Sequence, residues 1–125
     1  MTQSKRVPIR SYRDLEVWQL SIDLVEAVYA LAKAFPEDEK YALISQIRRA
    51  VVSVPSNIAE GYGRNTRKEY LRHLSIANGS LREVETQLII AGRLGYVTRN
   101  DAELAWSLLQ SVGKLLTALR KSLRQ

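Results

Sequence analysis

The chain has 125 residues, 46% of them hydrophobic and 26% charged, a balance that fits one domain with a real core and excludes low-complexity disorder. Without a cysteine it can form neither disulfides nor thiolate metal sites, and no apolar run reaches the roughly 18 residues that a membrane span needs. The net charge is +6, which points either to a polyanionic partner or to a solvated basic surface.

Residues 1–12 form a basic N-terminal segment with Lys5, Arg6 and Arg10 and no acid. They contain no apolar stretch of the kind that opens a secretory signal, so the expected location is the cytoplasm, with no membrane partner. Ser11 followed by Asp14 reads as a capping pair before a first helix over about residues 13–35. On it Leu15, Trp18, Ile22, Val25, Tyr29 and Ala32 step by three and four and form the expected core stripe. Phe35-Pro36 ends this helix, because the residue before a proline avoids the helical region. A second helix, about residues 37–61, aligns Tyr41, Ile44, Ile47, Val51, Val54 and Ile58. Pro55 inside it removes one backbone hydrogen bond and predicts a bend, with Ser53, Ser56 and Asn57 placed to bond the freed groups.

Thr66 with Glu69 opens a third helix, about residues 67–94, carrying the longest stripe: Tyr70, Leu74, Ala77, Leu81, Val84, Leu88 and Ala91. Gly95 closes it as a left-handed cap. Thr98 with Asp101 opens a fourth, about residues 99–123, with Ala105, Leu108, Val112, Leu115 and Leu119 in line. No segment alternates with period two, so no sheet is expected. Connections of a few residues favour antiparallel neighbours. The expected fold is therefore all-α, an antiparallel up-down-up-down four-helix bundle over residues 13–123.

The helices are more apolar than one bundle core requires. A second line on helix 1 runs through Val17, Leu20, Leu24, Val28, Leu31 and Phe35, and helix 4 carries Trp106, Leu109, Leu116 and Leu123 off its main stripe. Helix 3 adds Ile76, Ile89 and Ile90. A second stripe wants a second surface, which makes a homo-oligomer the expected state.

The basic residues are clustered. Residues 46–72 hold Arg48, Arg49, Arg64, Arg67, Lys68 and Arg72 against Glu60 and Glu69, and no acid follows residue 103, although Lys114, Arg120, Lys121 and Arg124 do. Arg48 and Arg49 flank the helix 2 stripe, where they can contact phosphate or pair with Glu83 or Glu85 of helix 3. Arg64, in the turn GYGRNT, stands four residues after Glu60. With Arg67, Lys68 and Arg72 it surrounds the start of helix 3, where free backbone amides favour an anion; the alternative is a glycine-rich turn with solvated charges. Tyr12, Tyr62 and Tyr96 fall at helix ends, placed either to stack on unpaired bases or to clamp the connections. Gln46, Asn57, Asn78 and Glu85 read as residues that hydrogen-bond between helices. His73 is the only histidine, four residues from Glu69, which argues against a metal centre. No catalytic set, cofactor site or small-molecule substrate site can be assembled, so a non-enzyme is expected.

The segment QIRRAVVSVPSNIAEGYGR, followed by LSIANGSLREVETQLIIAGRLGY and preceded by LEVWQLSIDLVEAVYALAKAFPEDEKYALISQ, resembles the 23S rRNA intervening-sequence protein family, also labelled S23 ribosomal proteins. The resemblance spans roughly residues 11–122. It implies a small antiparallel bundle that assembles into rings, commonly pentamers. It also implies a bacterial gene, in some members lying inside an rRNA intervening sequence, and it hints at RNA as a partner. The family has no established catalytic residues to carry over. The expected function is thus a ring-forming bundle binding nucleic acid, such as structured rRNA, through its basic patches. The competing expectation is a scaffold or accessory protein that docks a partner on its apolar stripes.

Overall fold

The computed structural model describes residues 8–125; the expected basic segment therefore lies mostly outside the described residues, Lys5 and Arg6 included. Four helices dominate: α1 Glu16–Ala32, α2 Leu43–Tyr62, α3 Arg67–Arg93 and α4 Arg99–Leu123. Single 3-10 turns at Tyr12–Asp14 and Glu37–Glu39 complete the structure, and no strand occurs among the described residues. α1 packs on α2 and α4, and α3 packs on the same two helices. The α2–α3 and α3–α4 connections are far too short to return along a helix of 27 residues, about 40 Å at 1.5 Å per residue. These two pairs therefore run antiparallel, and so do α1 and α2, because Arg48 near the start of α2 lies over Tyr29 near the end of α1. The α1–α2 and α3–α4 connections share one end of the bundle, and the α2–α3 turn shares the other with the end of α4.

Local chemistry sets the boundaries. Ser11 and Asp14 do form a reciprocal capping box, but it closes the Tyr12–Asp14 turn. Leu15 then adopts an extended conformation, and α1 starts at Glu16 without a side-chain cap. The second helix starts six residues later than expected, at Leu43. The reason is Glu39: its Oε1 accepts from the Leu43 amide at 3.3 Å, and its Oε2 accepts from the Tyr96 hydroxyl at 2.6 Å. A glutamate anchored in this way serves as a cap in front of α2. Thr66 accepts from the Glu69 amide at 3.1 Å to start α3. α3 ends in a Schellman motif: Gly95 takes φ +78°, Tyr96 N donates to Ala91 O at 2.9 Å, and Gly95 N donates to Gly92 O at 3.1 Å. Thr98 and Asp101 form a complete capping box on α4.

The stripes of α2 and α3 are buried as their spacing indicates, apart from Tyr41, which precedes α2 and is exposed, and Tyr70, which is half-buried. On α1 the assignment is reversed except at Ala32, which is buried as expected. The core line is Val17, Ser21, Leu24, Val28, Leu31 and Phe35, whereas Trp18, Ile22, Val25 and Tyr29 lie on its margin. Ser21 hides this seam in the sequence. It is fully buried, and its hydroxyl is satisfied by donating to Trp18 O at 2.7 Å. On α4 the buried line mixes the two expected ones: Ala105, Leu109, Val112 and Leu116. Most of the supposed second stripes on α1 and α4 thus belong to the bundle's own core. The exposed large apolar residues on α3 and α4 are Ile76, Ile89, Ile90, Leu94, Leu104 and Trp106.

Candidate nucleic-acid interface

The site begins with the contact that fixes α2 against α3. Ser53, Asn57 and Gly61 recur every four residues along α2 and so share one face. Asn57 Nδ2 donates to Ser53 O at 2.9 Å and to Ser53 Oγ at 3.0 Å. Its Oδ1 is left as an acceptor and meets His73 Nδ1 at 3.1 Å, so the proton sits on Nδ1. Ser80 Oγ donates to Ser53 Oγ at 2.8 Å. One helical turn on, Gly61 allows close approach: a Cβ there would stand 2.8 Å from His73 Cβ and 3.3 Å from Tyr70 O. α2 runs unbroken through Pro55; the Asn57 amide bonds Ser53 O and not Val51 O, the carbonyl that the missing Pro55 N–H frees.

This lock was only half visible in the sequence. Asn57 does bond between helices, but Asn78 and Gln46 have no side-chain hydrogen bond among the described residues, and Glu85 pairs within its own helix, with Arg82 at 2.8 Å. The partners Ser53, His73 and Ser80 were missed. Only Ser53 carried a signal, the four-residue recurrence of small residues beside the α2 stripe; His73 and Ser80 had none along α3.

The lock positions the basic end of the bundle. Here Arg64 pairs with Glu60 at 2.6 Å, both exposed. Arg67 Nη1 donates to Gln125 O at 2.8 Å, which ties the start of α3 to the end of α4. Lys68 and Arg72 are exposed and, four residues apart, share a helix face. α4 contributes what the sequence reading left out of the site: Arg120, whose Nη2 donates to Ser75 Oγ at 3.3 Å, with Lys121 and Arg124 exposed beside it. The antiparallel topology brings these acid-free last turns next to the first turns of α3. With Arg10 and Arg13, nine cations stand against Asp14, Glu16, Glu60 and Glu69 at this end among the described residues.

Arg48 and Arg49 are not part of it. Sixteen residues separate Arg48 from Arg64 in sequence, which is about 24 Å along α2. The expected ion pair with Glu83 or Glu85 does not form: Arg48 is half-buried, with its guanidinium carbon 5.0 Å from the centre of the Tyr29 ring on α1. Arg49 is exposed.

The aromatic residues divide in the same way. Tyr62 and Tyr70 meet edge to face at 6.1 Å, and Tyr12 and Trp18 at 5.2 Å, all at the basic end. Burial, helped by Tyr62, pushes the Tyr70 hydroxyl up to about 12. Tyr96 lies at the opposite end and clamps: its ring packs 5.7 Å from Phe35, and its hydrogen bond to Glu39 raises its pKa. Among the described residues no three His, Cys, Asp or Glu side chains gather as a metal site requires, and no helix is long and apolar enough to cross a membrane. The upper halves of α3 and α4 border an apolar cleft of about 860 Å³, which includes Leu88, Ile89, Val97, Ala102 and Trp106.

Among curated proteins no sequence matches the chain. A crystal structure of a protein with unknown function from the S23 ribosomal protein family of Bacteroides thetaiotaomicron superposes with a TM-score of 0.78 at 26% identity, over 84% of this chain and 98% of that one. The family model described as 23S rRNA-intervening sequence protein matches residues 13–118. That match takes in all of α1 to α3 and most of α4, so the chain belongs to the 23S rRNA-intervening sequence protein family.

Proposed function

We propose that this protein is a non-enzymatic, cytoplasmic bundle that self-associates into a ring, a pentamer, and binds nucleic acid, structured RNA such as rRNA, with its basic end. The observation that carries the reading is the meeting of Arg67, Lys68 and Arg72 of α3 with Arg120, Lys121 and Arg124 of α4, none of them paired with an Asp or Glu side chain among the described residues. The family description, which refers to 23S rRNA, supports the same partner class. Anisotropy titration with an rRNA fragment is the test. Binding should weaken steeply with salt, and glutamate at Arg67, Lys68 and Arg72 should remove most of it; affinity indifferent to salt would refute the phosphate reading.

The exposed apolar residues near the other end, Ile89, Ile90, Leu94, Leu104 and Trp106, support self-association. Light scattering decides this part: the wild type should be a ring, and Trp106→Glu a smaller species. The same cleft favours a second reading, a scaffold that seats a protein partner. That reading would gain if Trp106→Glu left the oligomer intact but abolished a heterologous complex.

A further inference from the structure

Above the basic end, α3 and α4 part around a polar groove of about 490 Å³ lined by Asn78, Arg82, Gln110, Gly113, Lys114 and Thr117. Gly113 makes its floor: a Cβ there would stand 3.1 Å from Arg82 Nη2 and 3.5 Å from Leu81 Cδ2. The missing side chain lets Arg82 lie across the groove, while Glu85 holds its Nη1 at 2.8 Å. Arg82 is thus oriented in advance, which lowers the ordering cost of any contact it makes. Lys114 is exposed and has no ion pair among the described residues. The amides of Asn78 and Gln110 carry no side-chain hydrogen bond there either, so donors and acceptors are free beside two cations.

The cations do not stop at this groove. Toward the basic end the same α3/α4 seam carries the Arg120–Ser75 bridge and, beyond it, the cations Arg72, Lys121 and Arg67. Fifteen residues separate Arg67 from Arg82 in sequence, about 22 Å of helix axis. α4 brings no carboxylate to this track, because none follows residue 103. A single phosphate has no use for such length; a linear polyanion matches it. A recess of about 490 Å³ is far too small to take in a duplex, whereas an extended strand can lay its backbone along it.

We infer that the α3/α4 groove holds a single-stranded stretch of nucleic acid that enters from the basic end. Arg82 and Lys114 contact its phosphates, and Asn78 and Gln110 contact its sugars or base edges. This inference rests on the nucleic-acid reading given above and narrows it to unpaired strands in this groove.

The test is anisotropy at low ionic strength with a labelled uridine oligomer and a blunt RNA duplex, using the full chain. Lys114→Glu should weaken the oligomer about fivefold and flatten its salt dependence by about 0.7 of a log–log unit, with a smaller loss for the duplex. Arg82→Gln, which removes the groove's other cation, should act in the same direction. Circular dichroism melts check that both variants fold, and Lys114 is exposed, so its substitution should be silent there. If both variants bind the oligomer as the wild type does, while glutamates at Arg67, Lys68 and Arg72 abolish binding, the groove assignment is wrong and the nucleic-acid reading stands. A wild type that prefers the duplex also overturns the assignment. A wild type that binds neither probe overturns both.

Discussion

Asn57 of α2 and His73 of α3 meet at 3.1 Å, and each satisfies a polar group that the other buries. Asn57→Ala should therefore cost about 1–3 kcal/mol, because it strands the His73 Nδ1 proton inside the protein. Asn78→Ala, which removes no side-chain hydrogen bond seen among the described residues, should stay within about 0.5 kcal/mol. Urea unfolding of the two variants side by side checks the contrast.

Glycine matters differently at two positions. Gly61→Ala places a Cβ 2.8 Å from His73 Cβ, an overpacking that should cost about 1–3 kcal/mol. Gly79 has open space around it, so Gly79→Ala should stabilise α3 by about 0.5–1 kcal/mol. Thermal melts should move in opposite directions for the two substitutions.

The α1 seam can be read from a pair of neighbours. Leu24 is completely buried, and Leu24→Ala should cost about 2–5 kcal/mol. Ile22, only half-buried on the margin, should cost far less when cut to alanine. Equal losses at the two positions would refute the reversed assignment of this helix.

Stability should fall in strong base for a stated reason. Tyr70 is pushed up to about 12 in the fold, against an ordinary value near 10 in the unfolded chain. The neutral hydroxyl is thus favoured by folding. Its contribution is complete below about pH 10 and is lost as the pH climbs toward 12. Tyr70→Phe should flatten the decline of the urea midpoint across that window. Some slope should persist, since Tyr96 is raised too and adds the same sign.

The fold was legible where one chemistry filled one face. The α3 stripe from Leu74 to Ala91 is unbroken, and its burial follows its spacing. α1 misled because its true seam contains Ser21, a polar side chain that satisfies itself within its own helix and reads from sequence as a gap. The late start of α2 was hidden because it depends on Tyr96, a residue 57 positions from Glu39 in the chain. For the candidate interface, Lys68 and Arg72 were legible from helical spacing alone. Arg120, Lys121 and Arg124 join them only through the topology. The role of His73 depends on side chains of α2 that no pattern along α3 contains.

Cations gathered at one end of a bundle whose longest helix is about 40 Å also give the protein an electrical orientation. At physiological salt a charge is felt over about 8 Å, so the acids of residues 37–39, at the far end, are invisible to anything touching the basic one. A polyanion drifting past would turn the molecule before touching it, and the first collision would already be made in the right attitude. Much of the gain would then appear in the speed of encounter, and it would disappear first as salt is added.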